Sequence, residues 1–297
     1  MFSPRVLLST YTLIFVVAVV LFTGQKSDTL ADTHSYIPDK IYKVTILQTN
    51  DIHSERFHSS NSLTMADRKS VIDDIKAEVE GKGGKLILLS GGDINASIEN
   101  AAASNLQALE YTAMTVSLHQ FDYPLEAIRQ QQSSAKFPFI SANIFESETG
   151  KPLFDTYKLI NTDGLSIAIM GLTDSPGTQR NKNLVGIHIM DPFKAAAELA
   201  PLLKSQADIV IASTHIGHNY MTDSYASRES LSSISDIDLV LGDHTQDDVI
   251  KLESDDCGWF LTRIDLEFKN GVLTTTNSEK LSVDSSNTHN DTIISTE

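Results

Sequence analysis

The sequence predicts an α/β domain, and three observations carry that expectation. Short apolar runs alternate with stretches of helical spacing from Ile41 onward. Hydrophobic residues make up 41 % of the 297, enough to bury a core and incompatible with a disordered or low-complexity chain. A single cysteine, Cys257, excludes an intramolecular disulfide framework and any Cys-rich zinc site.

Taken in order, Lys43–Gln48 reads as the first strand. Met65, Val71, Ile72, Ile75 and Val79 recur at helical spacing, and Gly81-Lys-Gly-Gly84 stops that helix. Leu86–Leu89 is apolar throughout, as in a strand buried on both faces. Ala113–Val116 and Phe139–Ala142 are shorter strands, and Ser166–Leu172 is another run. Asp191-Pro192 joins an N-cap to a first-turn proline and opens a helix reaching about Lys204. Ile209–Ser213 and Leu239–Leu241 complete the apolar strands. Trp259–Phe268, an Asn270-Gly271 turn and Val272–Thr276 read as an antiparallel hairpin. With no internal repeat and no long linker, residues 41–278 are expected to form one domain, followed by a polar tail at 279–297.

Residues 1–31 have the pattern of a secretory signal peptide. Arg5 is the only charge before the apolar run Tyr11–Phe22, and Thr29-Leu-Ala31 places small residues at a cleavage site. The expected location is therefore periplasmic or secreted. An uncleaved anchor is the alternative, because Val6–Phe22 approaches spanning length, and membrane attachment is expected by that route alone. Lys+Arg total 23 against Asp+Glu 39, a net charge of −16. That excess argues against nucleic-acid polymers and anionic membrane surfaces as partners. An anionic substrate would need a local reversal of sign, for which a metal is the usual device.

The chemistry sits where the strands end. Asp51 and His53 follow the first strand, and Asp93 follows Leu86–Leu89 through Ser-Gly-Gly. His119 follows Ala113–Val116, His215 follows Ile209–Ser213, and His244 with Gln246 follows Leu239–Leu241. A lone histidine after a strand is ordinarily a loop residue with local partners. Metal-competent side chains after five separate strands are a different matter, because ligands of open α/β sheets collect at the carboxyl ends of strands. His and Asp suit zinc or manganese, and a shared carboxylate suits two ions about 3.5–4 Å apart.

Thr49-Asn-Asp-Ile-His53, Leu89-Ser-Gly-Gly-Asp-Ile-Asn95, His119-Gln-Phe-Asp122, Phe137-Pro-Phe-Ile-Ser-Ala-Asn-Ile144, Thr214-His-Ile-Gly-His218 and Gly242-Asp-His-Thr-Gln246 stand in this order along the chain. As a set they resemble the calcineurin-like metallophosphoesterase domain of the periplasmic 5′-nucleotidase / UDP-sugar hydrolase family. The resemblance spans roughly residues 41 to 275 and implies a two-sheet sandwich flanked by helices, the αββα fold of metallo-dependent phosphatases. It implies two divalent ions, zinc or manganese, with Asp51, His53 and Gln246 on the first, Asp93 bridging both, and His215 and His244 on the second. His119 resembles the catalytic histidine and Asp122 the carboxylate that orients it. The implied reaction is hydrolysis of a nucleotide or sugar nucleotide by in-line attack of a metal-activated water on phosphorus.

Two positions depart from the family. Its Gly-Asn-His-Glu motif reads Ser117-Leu-His-Gln120 here, so Leu118 replaces an asparagine that ligates the second metal, and that site is expected to be weakened. Asp243 stands where the family has a glycine; it either adds compensating charge or distorts the turn. The family's second domain, which holds the base, has no counterpart in these residues. Substrate-binding residues are therefore unknown, and a separate nucleotide-binding chain is one expectation. The reading of a different class is a non-catalytic or weakly active relative that binds metal or ligand, or half of a split nucleotidase. His58 reads as a solvated loop residue, His218 as a surface residue or one that supports the ligands from behind, and Asn143 as either a turn-stabilising or a site-lining residue.

Overall fold

The computed structural model describes residues 36–49, 65–93, 109–174, 182–216, 228–242 and 260–282. Its first sheet contains β1 (Tyr42–Thr49), β2 (Lys85–Ser90), β3 (Ala113–Thr115), β4 (Phe139–Ile140), β11 (Phe260–Lys269) and β12 (Val272–Ser282), in the order β12-β11-β1-β2-β3-β4. A second contains β6 (Tyr157–Thr162), β7 (Leu165–Thr173), β9 (Ile209–His215) and β10 (Leu239–Leu241), in the order β10-β9-β7-β6. β5 (Ile144–Glu146) and β8 (Ile187–Ile189) pair separately. The helices are α1 (Met65–Gly81), α2 (Leu125–Ser134), α3 (Pro192–Lys204) and the short α4 (Arg228–Ser232).

Period-two alternation explains the layering. Val44, Ile46, Ile87, Leu89, Ala113 and Ile140 of the first sheet pack with Leu165, Ile167, Ile169, Ile209 and Ile211 of the second, forming the interior of a sandwich. The opposite faces carry Leu47, Leu88 and Met114 against Ile72, Ile75 and Val79 of α1 and Ile128 of α2. Ala168, Met170, Val210 and Ala212 meet Ala195, Ala196, Ala200 and Leu203 of α3. The expected αββα sandwich is the fold observed. Where β7 passes β4 the approach is so close that a Cβ on Gly171 would lie 2.3 Å from the Ile140 carbonyl oxygen.

Asp191 caps α3 by accepting from the Lys194 amide at 2.9 Å. The Asn270-Gly271 turn has both φ values positive, as a two-residue hairpin turn with right-handed strand twist requires. β12 continues through Ser282, past the expected domain edge at 278, because its pairing with β11 extends to Phe260. Residues 1–31 and the rest of the 279–297 tail lie outside the described residues. No helix among the described residues is long and apolar enough to cross a membrane.

Direction decides where the site forms. β1, β2, β3 and β4 are mutually parallel, as are β7, β9 and β10. Their carboxyl ends share the same edge of the sandwich, and near it Thr115 and Ser213 bond across the two sheets at 2.7 Å.

Candidate active site

The turn after β2 builds the centre of the site. The Gly91 amide donates to the Thr49 carbonyl at 2.8 Å, tying the end of β2 to the end of β1. Gly92 has φ +121, and a Cβ there would lie 2.9 Å from His215 Nδ1 and 3.1 Å from the Thr115 carbonyl oxygen. Glycine alone passes this point, and the turn swings Asp93, itself at φ +51, into the space between the sheets.

There Asp93 Oδ2 lies 3.2 Å from Nε2 of His215, the last residue of β9, with both side chains buried (3 % and 7 % exposed). His215 Nδ1 faces the Gly91 carbonyl oxygen at 2.9 Å, and a carbonyl only accepts, so Nδ1 carries a hydrogen. In a neutral ring that leaves the Nε2 lone pair aimed at a carboxylate. Such a pair is satisfied by a shared proton or by a cation held between the two atoms. Ligand atoms on one tetrahedral ion with bonds of about 2.0–2.2 Å lie about 3.3 Å apart, so the donor set and its spacing fit a divalent metal. The Nδ1–carbonyl bond is also how metal-binding histidines are commonly oriented.

The other carboxylate oxygen is engaged as well. Asp93 Oδ1 meets the Ser117 hydroxyl, and the Asp93 amide donates to Ser117 Oγ at 3.3 Å. Ser117 precedes a 3-10 helix, Leu118–Asp122, and its amide donates to Gln120 Oε1 at 3.0 Å. Burial acts to raise the pKa of Asp93, but His215, by hydrogen bond and by charge, the Ser117 hydroxyl and the charge of His119 outweigh it. They hold the carboxyl well below the usual range.

The same 3-10 helix presents His119 and Asp122 on its outer side. His119 Nδ1 and Asp122 Oδ2 are 3.0 Å apart, and both side chains face solvent (61 % and 56 % exposed). Asn183 Nδ2 donates to the carbonyls of Phe121 (2.8 Å) and Asp122 (3.1 Å), anchoring the end of that helix.

Of the residues expected from sequence, Asp93, His119, Asp122 and His215 are thus gathered at one edge, and Asp51, His53, His244 and Gln246 lie outside the described residues. Among the described residues no three His, Cys, Asp or Glu side chains form a metal cage. Leu118 is half-buried at the start of the 3-10 helix. His58, His218 and Asp243 also lie outside the described residues. Asn143 resolves as structural: its Oδ1 accepts from the Thr173 amide (2.9 Å) and the Ser141 hydroxyl (3.1 Å), and its Nδ2 donates to the carbonyls of Thr173 (2.7 Å) and Met190 (2.9 Å). Sequence reasoning missed the contact of Ser117 with Asp93. The signal available was a hydroxyl one residue before an altered ligand position.

No protein-family model matches the chain. It is 33 % identical over 286 residues to a 5′-nucleotidase of Vibrio parahaemolyticus, covering 81 % of this chain and 51 % of that protein. It is 31 % identical over 297 residues to the protein UshA of Escherichia coli K12, covering 84 % and 53 %. The chain belongs with the N-terminal domain of the 5′-nucleotidase/UshA family. It spans about half the length of these relatives. The calcineurin-like phosphoesterase YfkN from Bacillus subtilis has the same fold, with a TM-score of 0.65 at 21 % identity, over 82 % of this chain and 92 % of that one. So does a 5′-nucleotidase precursor from Thermus thermophilus, with a TM-score of 0.65 at 19 % identity, over 81 % and 54 %.

Proposed function

We propose that this 5′-nucleotidase-like domain is an exported, metal-dependent phosphoester hydrolase acting on nucleotides or sugar nucleotides. One observation carries the reading: the Asp93–His215 pair and the His119–Asp122 pair project from one edge, the first buried and charge-demanding, the second open to solvent. Asp93 and His215 would hold a divalent ion, zinc or manganese, with Asp51, His53, His244 and Gln246 completing two sites. When bound, such ions neutralise phosphate oxygens and acidify an attacking water. The chain's own residues supply the rest. Asp122 fixes the His119 ring through Nδ1, leaving Nε2 as the edge turned to substrate, where it donates a hydrogen to a phosphate or leaving-group oxygen. Export rests on the signal-peptide pattern of residues 1–31, and the nucleotide substrate on the names of the relatives.

The test is hydrolysis of an aryl phosphate and of nucleoside monophosphates by metal-stripped chain before and after zinc or manganese is restored. Restored hydrolysis is expected. A chain that takes up metal yet cleaves neither substrate fits the second reading, a binding relative, which Leu118 favours. There, Leu118→Asn would tighten metal without creating turnover, whereas in an enzyme it raises hydrolysis at limiting metal.

A further inference from the structure

The His119–Asp122 pair rides on a short helix that its own backbone cannot finish. In 3-10 geometry the Phe121 carbonyl would accept from the amide three residues on, and residue 124 is a proline, which has no amide hydrogen. Asn183 fills that place from a distant part of the chain, with Nδ2 donating to the carbonyls of Phe121 at 2.8 Å and Asp122 at 3.1 Å. Carbonyls only accept, so the amino side of the amide faces them, and its two hydrogens match two acceptors. The segment behind Asn183 is braced. Leu184 packs against the cluster that contains the fully buried Phe121. Two residues further, the Gly186 carbonyl accepts from the Ser147 amide at 2.9 Å, where β8 begins its pairing with β5. His119 has little packing of its own: 61 % of its side chain is in solvent, and Asp122 Oδ2 steers the ring from 3.0 Å.

We propose that Asn183 is a positioning residue for the His119–Asp122 pair. By clamping both carbonyls it fixes the backbone from which Asp122 reaches His119 Nδ1, and so fixes where the Nε2 edge of the ring points. Without the clamp the end of the helix opens to water, Asp122 shifts, and the ring loses its aim. A misplacement of about 1 Å is enough to cost about a hundredfold in rate. This rests on the reading that His119 acts on the substrate.

The experiment follows hydrolysis of a nucleoside monophosphate by the full chain, loaded with zinc or manganese, carrying Asn183→Ala, Asn183→Asp, His119→Ala, or Asn183→Ala together with His119→Ala. Asn183→Asp keeps the shape of the side chain but sets an oxygen against the two carbonyls, so it should be the more severe of the two. Each Asn183 variant should lower kcat about tenfold to a hundredfold, with KM and bound metal unchanged. In the double variant kcat should be no lower than in His119→Ala alone, because a residue that works by aiming the ring has nothing left to aim. Unchanged kcat in both Asn183 variants overturns the proposal. A loss that multiplies in full onto that of His119→Ala, a fall in bound metal, or failure of both variants to fold makes Asn183 structural and overturns it too. His119→Ala with parental kcat, or a metal-loaded parent that hydrolyses nothing, overturns the underlying reading of His119 instead.

Discussion

Two histidine–aspartate pairs stand at the same edge of the sandwich, and their difference separates two kinds of chemistry. In one, His215 Nε2 faces Asp93 at 3.2 Å with both groups nearly sealed from water. In the other, His119 Nδ1 faces Asp122 at 3.0 Å with more than half of each side chain in solvent. Burial leaves the first pair to be satisfied by a shared proton or by a cation between its atoms, since unpaired charge in a low-dielectric site is costly. Exposure costs the second pair nothing and leaves it free to meet a substrate. Residue type alone does not distinguish them; their placement does. Asp93 and His215 come from turns and strands packed between two sheets, whereas His119 and Asp122 ride on the outside of a 3-10 helix.

Breaking the buried pair should have the largest effect. His215→Ala leaves Asp93 as an uncompensated buried charge, a change that typically costs about 3–5 kcal/mol. Bound metal per chain should fall, hydrolysis should vanish, and the melting temperature should drop. Normal metal content in this variant would show that the two pairs do not differ in the way described.

Removing the exposed histidine should do the opposite on two of those three readouts. His119→Ala should lower turnover about 10²–10⁴-fold, the usual loss for a positioned acid/base group. Metal content and melting temperature should stay as they are, because the side chain is exposed and lies outside the Asp93–His215 contact. Equal loss of metal in both variants would erase the distinction.

Gly92→Ala tests whether the buried pair depends on backbone geometry alone. No functional atom is removed, yet the new methyl would press on His215 Nδ1 at 2.9 Å from a backbone at φ +121. Strain and overlap together should cost about 2–4 kcal/mol. Calorimetric metal titration should show weakened affinity, while an isolated defect in turnover with intact metal binding would contradict the geometry.

Much of this arrangement is legible in the sequence for a physical reason. β2, β7 and β9 are largely buried on both faces, so they appear as mostly apolar runs, and Asp93 after β2 and His215 at the end of β9 mark the site edge. β6 is a half-exposed edge strand, Tyr157–Thr162, and α2 buries Ile128 alone in a polar segment, so neither has a pattern to read. Asp93, His119 and His215 are legible because they follow strands. Ser117 is not, because its role comes from the meeting of the β2 turn with the 3-10 helix, an encounter set by sheet pairing rather than by spacing. Asn143 shows the converse: it follows a site-like strand, yet its amide is spent on bracing β7 and the residue just after β8.

The smallest expected effect comes from an ion pair away from these two. Arg263 of β11 holds Glu78 of α1 through two hydrogen bonds, at 3.0 and 3.2 Å, with Glu78 about a third exposed and Arg263 mostly covered. The hydrogen bonds from Arg263, and then from Lys82, bring the Glu78 carboxyl down to about 2 from its ordinary 4.5. The folded state therefore favours the ionised form, so this contribution is fully present above pH 4.5 and is lost as pH falls from 4.5 towards 2. Solvent screening keeps it near the surface-pair range, about 1 kcal/mol. Glu78→Gln should accordingly lower stability slightly at neutral pH and flatten its decline between pH 4.5 and 2, as read by denaturant unfolding across that window. Metal affinity and turnover at neutral pH should not move, because Glu78 joins a helix to a sheet and touches neither pair at the edge. A parallel loss of metal in Glu78→Gln would mean that any ion pair in this fold perturbs the site, and the contrast between the two histidine–aspartate pairs would then reflect general stability rather than their burial.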